Sequence, residues 1–563
     1  MKKLLSKALL LLFVLSFTAC DESDEMGEIS QGDIQITFDE IDCFTKQGAN
    51  LTLTPTVEDA VNPVYSWVID RKIVSTEPSY TFVADVLGET YITFNVLAKN
   101  GSASQEIRVT VTDRDLPVIG MQDTYLAYIG KELEIIPDVK FTDETTEYTW
   151  FINNEVVCDE PSYKYTGNVA NNINVLLKVS NKSGVASCSF TILAMPEPVP
   201  TLFFDNGEYV TPSKLNAPTY TPKMSVSLGK NLVLAPVKMN IEGDVSYSWS
   251  VNGVQQNETK EFFDFHPDGK GTYTIEVIGK SSAGEATARV EVECVDQEGT
   301  HIRKATSDSK YWANTCFSYI PAPGQFINFQ EGSTAEQAKL SIHNLIKDSP
   351  YGSYVASLGA FGGYVIFGFD HSVENLDGAD LSIGGNAFPG SNEPGVVWVM
   401  QDENGNRLPD DTWYELKGSE TGKPTTYQRT TMTYFRPNAD NANIIWMSNT
   451  GLTGSIDNNG YHNQKSYFPM FITEESYTLI GTLLPENPTD TGLEGNANFD
   501  WGYVDNINSK SGFYIEDAIQ QDGTPANLKY IDFVKVHTGQ QIKFAAIGEI
   551  STEPCVPIDL HIN

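Results

Sequence analysis

The segment Asp402-Glu403-Asn404-Gly405-Asn406-Arg407-Leu408-Pro409-Asp410-Asp411 is the sharpest chemical motif in the chain. Counting Asp402 as position 1, oxygen-bearing side chains also stand at positions 3, 5, 9 and 10. Alternation brings Asp402, Asn404 and Asn406 round one centre. The Leu408 carbonyl falls at position 7, and Asp410 or Asp411 completes the set. Calcium takes about six to eight such oxygens, so a structural Ca2+ is the expected occupant. The full EF-hand pattern is not met. Arg407 holds position 6, where the sharp turn calls for glycine, and Trp413 holds position 12 in place of a bidentate glutamate. Glu415 or Glu420 is an available late carboxylate. The competing reading is an Asx-rich turn that satisfies its own backbone.

Trp413-Tyr414-Glu415-Leu416-Lys417-Gly418-Ser419-Glu420 follows directly. Two carboxylates beside aromatics suggest a glycosidase, with acid and base flanking a sugar. On a strand, however, the odd spacing of Glu415 and Glu420 puts them on opposite faces. No GxSxG or HExxH occurs, and the seven histidines form no nucleophile motif. The expectation is therefore a protein that is not an enzyme.

The elements that carry these residues are strands. Across 563 residues, a net charge of −37 and a pI near 4.4 argue against nucleic acid as a partner, because phosphate binding needs clustered Lys and Arg. A pattern repeats three times: Tyr65-Ser66-Trp67, Tyr148-Thr149-Trp150 and Tyr247-Ser248-Trp249 each open an alternating strand. A short turn follows each, at Asp70-Arg71, Asn153-Asn154 and Asn252-Gly253. Later come turns at Lys99-Asn100-Gly101, Asn181-Lys182-Ser183-Gly184 and Ser281-Ser282-Ala283-Gly284. Final strands follow at Gln105 to Thr112, Ala186 to Leu193 and Ala286 to Glu293. Period-two patterning at this spacing predicts antiparallel sandwiches, with each Trp between the sheets. The linkers Asp115-Leu116-Pro117 and Pro196-Glu197-Pro198-Val199-Pro200 are stiffened by proline, as in a stalk.

The remainder, 299–563, alternates strands with long Gly- and Asn-rich loops. Strands are expected at Gly363 to Phe369, Gly395 to Met400, Thr431 to Phe435, Asn443 to Met447 and Tyr530 to His537. One helix is expected at Thr334 to Lys347. Ser333 and Glu336 form a capping box there, and Ala335, Ala338, Ile342, Leu345 and Ile346 make the buried face. The fold class is all-β: tandem sandwiches, then a larger jelly-roll-like sandwich. Long loops in such a domain are commonly functional surfaces.

Met1 to Lys7 carry three lysines, and Ala8 to Phe17 are apolar except for Ser16. This is a signal-peptide core, too short for a permanent span. Leu15-Ser16-Phe17-Thr18-Ala19-Cys20 resembles a lipobox, although Phe17 stands where that pattern usually has Leu. The resemblance implies acylation of Cys20. The competing reading is an ordinary signal peptide with an incidental cysteine. The acidic run Asp21 to Glu25 resembles the export signal that sends Bacteroidetes lipoproteins to the outer face of the outer membrane. Cys43, Cys158, Cys188, Cys294, Cys316 and Cys555 form no CxxC pair. Cys158 and Cys188 fall in one sandwich and could bridge, but buried thiols are the default.

The three Trp repeats, over roughly 33–296, resemble PKD-like and other immunoglobulin-like modules. This divides the chain into a signal peptide (1–19), an acidic tether (20–32), modules at 33–114, 115–196 and 197–298, and the C-terminal domain. Five stretches of that last domain also resemble a family: Gly362 to His371, Asn386-Ala387-Phe388 with Glu393-Pro394-Gly395, Asp402 to Glu420, Tyr530 to Val536 and Gly548 to Glu553. Together they are similar to the C-terminal region of cell-surface lipoproteins from Bacteroides vitamin B12 transport loci. The resemblance implies capture of cobalamin or another corrinoid and its transfer to a TonB-dependent outer-membrane transporter. A corrinoid is a broad, partly apolar disc fringed with amides, so aromatic faces and polar loops would meet it. Phe388, Trp446, Tyr461, His462, Trp501 and Tyr503 are the candidates, with His371 or His462 as a conceivable cobalt ligand. Taken singly, each aromatic reads first as jelly-roll core. The rival readings are a glycan-binding surface lipoprotein and a non-catalytic adhesin or scaffold.

Overall fold

A computed structural model of the chain describes residues 34–562, except 39, 218–219, 242, 329–333, 459–461, 463, 490–494, 508–511 and 545–547. Cys20, Ser333 and Tyr461 lie outside the described residues. The chain divides into two compact units, and the division runs through the second module. One unit holds the first module with 136–163 and 176–188; the other holds 122–135, 164–175 and everything from 189 onward.

In the first module, alternation builds a five-stranded sheet in the order Asp42–Lys46, Gly101–Thr112, Gly88–Ala98, Val64–Ile69, Lys72–Ser75. The first pair is parallel and the others antiparallel. Ile92, Phe94 and Val96, two residues apart on one strand, are at most 1% exposed. They pack with Trp67, and with Leu53 and Phe82 from the antiparallel pair Asn50–Leu53 and Tyr80–Val83.

The repeated Trp is a core residue in all three modules, as expected. Trp67, Trp150 and Trp249 are each 0% exposed. Each indole N–H donates to a downstream backbone carbonyl: Glu77 at 2.9 Å, Glu160 at 2.8 Å and Lys260 at 2.9 Å. A buried N–H left unpaired would be destabilising, so the bond and the burial come together. The turns after the Trp strands all have positive φ at both central residues, between 47° and 77°. That is the primed hairpin geometry, and Asp, Asn and Gly tolerate it best. No disulfide joins Cys158 to Cys188; the Cys158 thiol lies 3.6 Å from the Ser162 carbonyl.

The third module repeats the sheet order with Lys223–Ser227, Gly284–Val295, Gly271–Ser281, Ser246–Val251 and Val254–Gln255. The C-terminal domain is a two-sheet antiparallel sandwich. Its six-stranded sheet runs Thr315–Ile320, Tyr364–Glu374, Tyr530–Thr538, Gly395–Met400, Trp413–Leu416, Ala518–Ile519. The four-stranded sheet runs Thr453–Ile456, Ile444–Ser448, Tyr427–Phe435, Ser476–Leu483. Each strand expected here is present, with edges shifted by a few residues.

Both faces of the larger sheet are covered. Phe533, Met400 and Tyr364 pack against Met432, Tyr434 and Leu479 of the smaller sheet. On the far side Val534, Val536, Val397 and Val399 pack with Ala338, Ile342 and Ile346 of the helix Ala335–Ile346. Its N-cap is Thr334, whose side chain accepts the Gln337 N–H, in place of the expected Ser333. Leu345, expected to be buried, is 38% exposed because it sits at the edge of the buried arc.

The range 197–298 reads as one bead of a stalk, but in the structure one face of this module is built into the C-terminal sandwich. Val210 bridges Thr478 in antiparallel fashion, and Phe203, Val210 and Val237 pack on Ile480. Gly207 must be glycine, since a Cβ there would lie 2.4 Å from Trp413. Buried Lys535 donates to the Gly207 carbonyl at 2.8 Å and lies over the Tyr364 ring. Arg429 reaches Glu261 at 2.9 Å.

Candidate functional site

The loop 401–412 connects Gly395–Met400 to Trp413–Leu416, two paired strands of the six-stranded sheet. A rigid hairpin therefore presents it. The Asp402 N–H donates to Asp532 Oδ2 at 2.8 Å, which fixes the start of the loop. Asp402 Oδ2 accepts the Arg407 N–H at 3.1 Å, so the carboxylate points into the turn. Asp402 is 1% exposed, and its Oδ1 has no hydrogen-bond partner. Burial pushes its carboxyl above the usual range, and the charge of Asp532 adds to this.

Asn404 Oδ1 accepts the Asn406 N–H at 2.9 Å, and Asn406 Oδ1 accepts the Leu408 N–H at 2.7 Å. Their Nδ2 groups converge on Asp410 Oδ1 at 3.2 and 3.0 Å. Arg407 takes φ 65°, the left-handed turn that glycine was expected to supply. Asp402, Asn404, Asn406 and Asp410 thus surround one turn that also contains Leu408.

Asp411, also a candidate ligand, turns the opposite way. Its Oδ2 accepts the Glu403 N–H at 3.1 Å, and its Oδ1 lies in hydrogen-bond contact with Ser225 Oγ of the third module. Glu403 faces the same seam: Oε2 accepts Ser225 Oγ–H at 2.9 Å, while Oε1 accepts the Ser227 N–H at 3.2 Å and its hydroxyl at 3.1 Å. The Thr412 hydroxyl donates to the Ser225 carbonyl at 2.6 Å. Burial raises Glu403 and takes Asp411 to about 8. The loop therefore has two sides, one turned inward and one clamping a neighbouring module. The inventory of oxygen donors does not reveal Ser225 and Ser227, because their role depends on a partner about 180 residues away.

The late carboxylates do not reach the turn. The strand ends at Leu416, so Glu420 lies beyond it, and the opposite-face expectation does not apply. Glu415 is buried and accepts the Thr482 hydroxyl; burial raises it to about 7. Glu420 is paired with Lys423 at 2.9 Å. Trp413, at position 12, is a core residue.

A second acidic group, Glu393, Asp505 and Glu553, has ligand-type oxygens within 4.8 Å of one another. Hydrogen bonds already occupy it. Glu393 Oε1 accepts the Ser551 N–H at 3.2 Å, and Asp505 accepts the N–H groups of Ala387 and Glu553 at 2.7 and 2.9 Å. Glu553 accepts the Ser551 hydroxyl at 2.8 Å. Burial, reinforced by the charge of Glu553, holds Glu393 well above its ordinary value, and burial raises Glu553 as well.

The candidate aromatics separate. Tyr503 is 2% exposed, packs with Val396, Leu484 and Phe499, and accepts the Glu420 N–H at 3.1 Å. Trp446 packs on the intersheet core with Gly454 under its ring. Trp446 shares a strand face with buried Ile444, whereas Tyr503 sits outside any strand, next to the bridge residue Val504. Phe388 is 61% exposed, and Trp501 is half-buried. The His462 ring packs edge-on against Phe326 at 4.5 Å. His371 is 1% exposed and held between Asp370 at 2.8 Å and Asp559 at 2.9 Å, so neither nitrogen is open to a metal.

A cleft of about 700 Å³ opens elsewhere in the same unit. Tyr128, Pro198, Pro200, Ile241 and Met447 line it, together with the polar groups Asn240, Asn449 and Thr450. Its volume lies within the usual range for small-molecule sites. Five segments spread between residues 126 and 453 form it, and no local motif marks it.

Comparison with known proteins places the repeats. The PKD-like domain family matches residues 33–98 and 117–181. No curated protein matches the chain. Among solved structures, it is similar to the three N-terminal domains of the bacteriophage RB49 highly immunogenic outer capsid protein. The identity is 19%, covering 47% of this chain and 99% of that one, with a TM-score of 0.18. It is also similar to the titin I-band fragment I67–I69, at 12% identity over 46% and 98%, TM-score 0.15. Fibronectin(III)-like modules of Clostridium thermocellum CbhA are similar at 13% identity over 29% and 95%, TM-score 0.17. Likenesses of this size carry nothing about ligand or partner. The chain is a tandem β-sandwich protein with PKD-like, immunoglobulin-like modules.

Proposed function

We propose that this chain is a lipid-anchored outer-membrane protein, facing the cell exterior, that captures cobalamin or a related corrinoid for a TonB-dependent transporter. The observation that carries the reading is the cleft of about 700 Å³, lined by Tyr128, prolines and Met447 together with Asn240, Asn449 and Thr450. An amphipathic disc fringed with amides needs that combination. The five sequence stretches similar to surface lipoproteins of vitamin B12 loci supply the ligand class, and the leader ending at Cys20 supplies the anchor. A non-catalytic role fits the carboxylates: Glu415 is buried against Thr482 and Glu420 is paired with Lys423, so neither faces an open substrate site.

Calorimetric titration of the full chain with cyanocobalamin tests this. One-to-one binding, weakened about tenfold by Tyr128→Ala or Met447→Ala, supports the proposal. No binding sinks the corrinoid reading. Oligosaccharide binding in its place would make the chain a glycan-capture protein, and protein binding alone would make it an adhesin or scaffold.

A further inference from the structure

The Asp402 loop alternates two tasks. Asp402, Asn404, Asn406 and Asp410 turn inward, while Glu403 and Asp411 between and beside them hold Ser225 and Ser227 of the third module. Hydrogen bonds among the inward groups leave one oxygen unaccounted for. Asp402 Oδ1 belongs to a carboxylate that is 1% exposed, yet no hydrogen bond of ordinary geometry reaches it, although the Gly405 N–H lies close enough to the carboxylate to favour its charge. A buried carboxylate oxygen without a donor is strongly destabilising, so a positive or donating species must meet it. The arginine nearest in charge does not: Arg303 is committed to Asp532 at 2.8 Å.

The surroundings select the species. The loop's own donors are hard oxygens from two carboxylates and two amides, plus main-chain carbonyls; the His301 ring packs on Gly405 beside them. Such a set suits a hard divalent cation, and its flexible, many-oxygen character suits Ca2+ better than the strictly octahedral Mg2+. The amides of Asn404 and Asn406 now donate Nδ2 to Asp410. Each amide oxygen has two lone pairs, so Asn404 Oδ1 and Asn406 Oδ1 can keep their backbone N–H bonds and still face an ion, with Asp410 exchanging its amide donors for it. Arg407 already holds the left-handed turn at φ 65° that wraps such a loop.

We propose that the 402–410 loop binds one Ca2+ through Asp402, Asn404, Asn406 and Asp410, and that the bound ion fixes the backbone that clamps the third module. The inference is independent of any corrinoid. Loop and clamp share consecutive residues, so the coupling is reciprocal: what strengthens the seam strengthens Ca2+ binding, and the reverse.

The test is calorimetric titration of the chelator-treated full chain with CaCl2, alongside thermal unfolding with and without the ion. The expected result is a one-to-one site whose affinity falls at least tenfold in Asp410→Asn and in Asn406→Ala. Both positions are exposed, so both variants should fold. Ser225→Ala, outside the loop, is expected to weaken Ca2+ binding several-fold, and Ca2+ is expected to raise the midpoint of unfolding. Titration curves unchanged by Asp410→Asn and Asn406→Ala would overturn the site. Loop-dependent binding that ignores Ser225→Ala and leaves the midpoint unmoved would overturn the clamp.

Discussion

The first and third modules share a strand order, a buried Trp and the indole–carbonyl bond that anchors it. Their surfaces nevertheless have opposite fates. Strand Asn50–Leu53 reads exposed, intermediate, exposed, buried, whereas its counterpart Leu232–Leu234 is buried throughout. The same contrast separates Asp42–Lys46 from Lys223–Ser227, whose last three residues are all buried. One fold therefore serves as a module with open surface and as a module built into a larger body. The difference lies in side chains on the outer face.

That comparison can be broken most severely at Val237, which is 0% exposed against Phe203, Val210 and Ile480. Val237→Asp buries an unpaired charge and is expected to lose about 4 kcal/mol or more. Thr56→Asp, at the equivalent exposed position, should stay within about 0.5 kcal/mol. Urea unfolding of the full chain, followed by hydrogen exchange in each module, reads both. Equal effects would mean that the third module's outer face is not buried in solution.

Acid–base chemistry sharpens the contrast. Glu415 has its folded pKa raised from 4.5 to about 7 by burial. A raised carboxyl stabilises fully below its unfolded pKa, and that contribution is lost as pH rises through the folded value. Glu415→Gln keeps a partner for Thr482 but does not ionise. Its stability advantage over the wild type is expected to grow between pH 4.5 and about 7, reaching on the order of 3 kcal/mol, then level off. Thermal unfolding across that window checks this. The first module, whose one buried polar side chain among the described residues is Thr45, should show no comparable slope in local hydrogen exchange.

Trp67→Phe and Trp249→Phe delete the same bond to Glu77 and Lys260 and should each cost about 1–2 kcal/mol. Here the modules should behave alike, and protection of the Trp strands against exchange would show it. The smallest effect is expected at Arg108, whose pair with Asp42 is 41% and 59% exposed. Arg108→Ala should change urea stability by less than about 0.5 kcal/mol. Arg429→Ala should exceed it, because that guanidinium meets Glu261 at 16% and 24% exposure and covers the Phe262 ring.

The difference between the modules was partly legible in residues. Leu51-Thr52-Leu53-Thr54-Pro55-Thr56 alternates, as a half-exposed strand should. Leu232-Val233-Leu234-Ala235-Pro236-Val237 replaces each threonine with an apolar residue. Read as one more repeat, that run passes for a stalk module; read position by position, it marks a covered face. The calcium-type loop was legible as a donor inventory, yet the opposed directions of Asp410 and Asp411 were not. Adjacent residues in a loop have no fixed period, so only the path of the backbone decides which side each takes. Tyr503 and Trp446 stand in or beside Asn- and Gly-rich segments; Tyr503 is core, and Trp446 is half-buried on its strand against the intersheet core.

By itself the sequence determined the main strands, the short turns after the Trp strands, the buried Trp of each module and the presence of two kinds of region. These follow from local periodicity and turn chemistry, which act over a few residues. Tertiary structure alone decided that Tyr530–Thr538 inserts between Tyr364–Glu374 and Gly395–Met400. It alone placed Ser225 against Glu403 and opened a cleft between segments more than 200 residues apart. Such pairings depend on which apolar faces find each other when the whole chain collapses, and no local pattern records a partner's address.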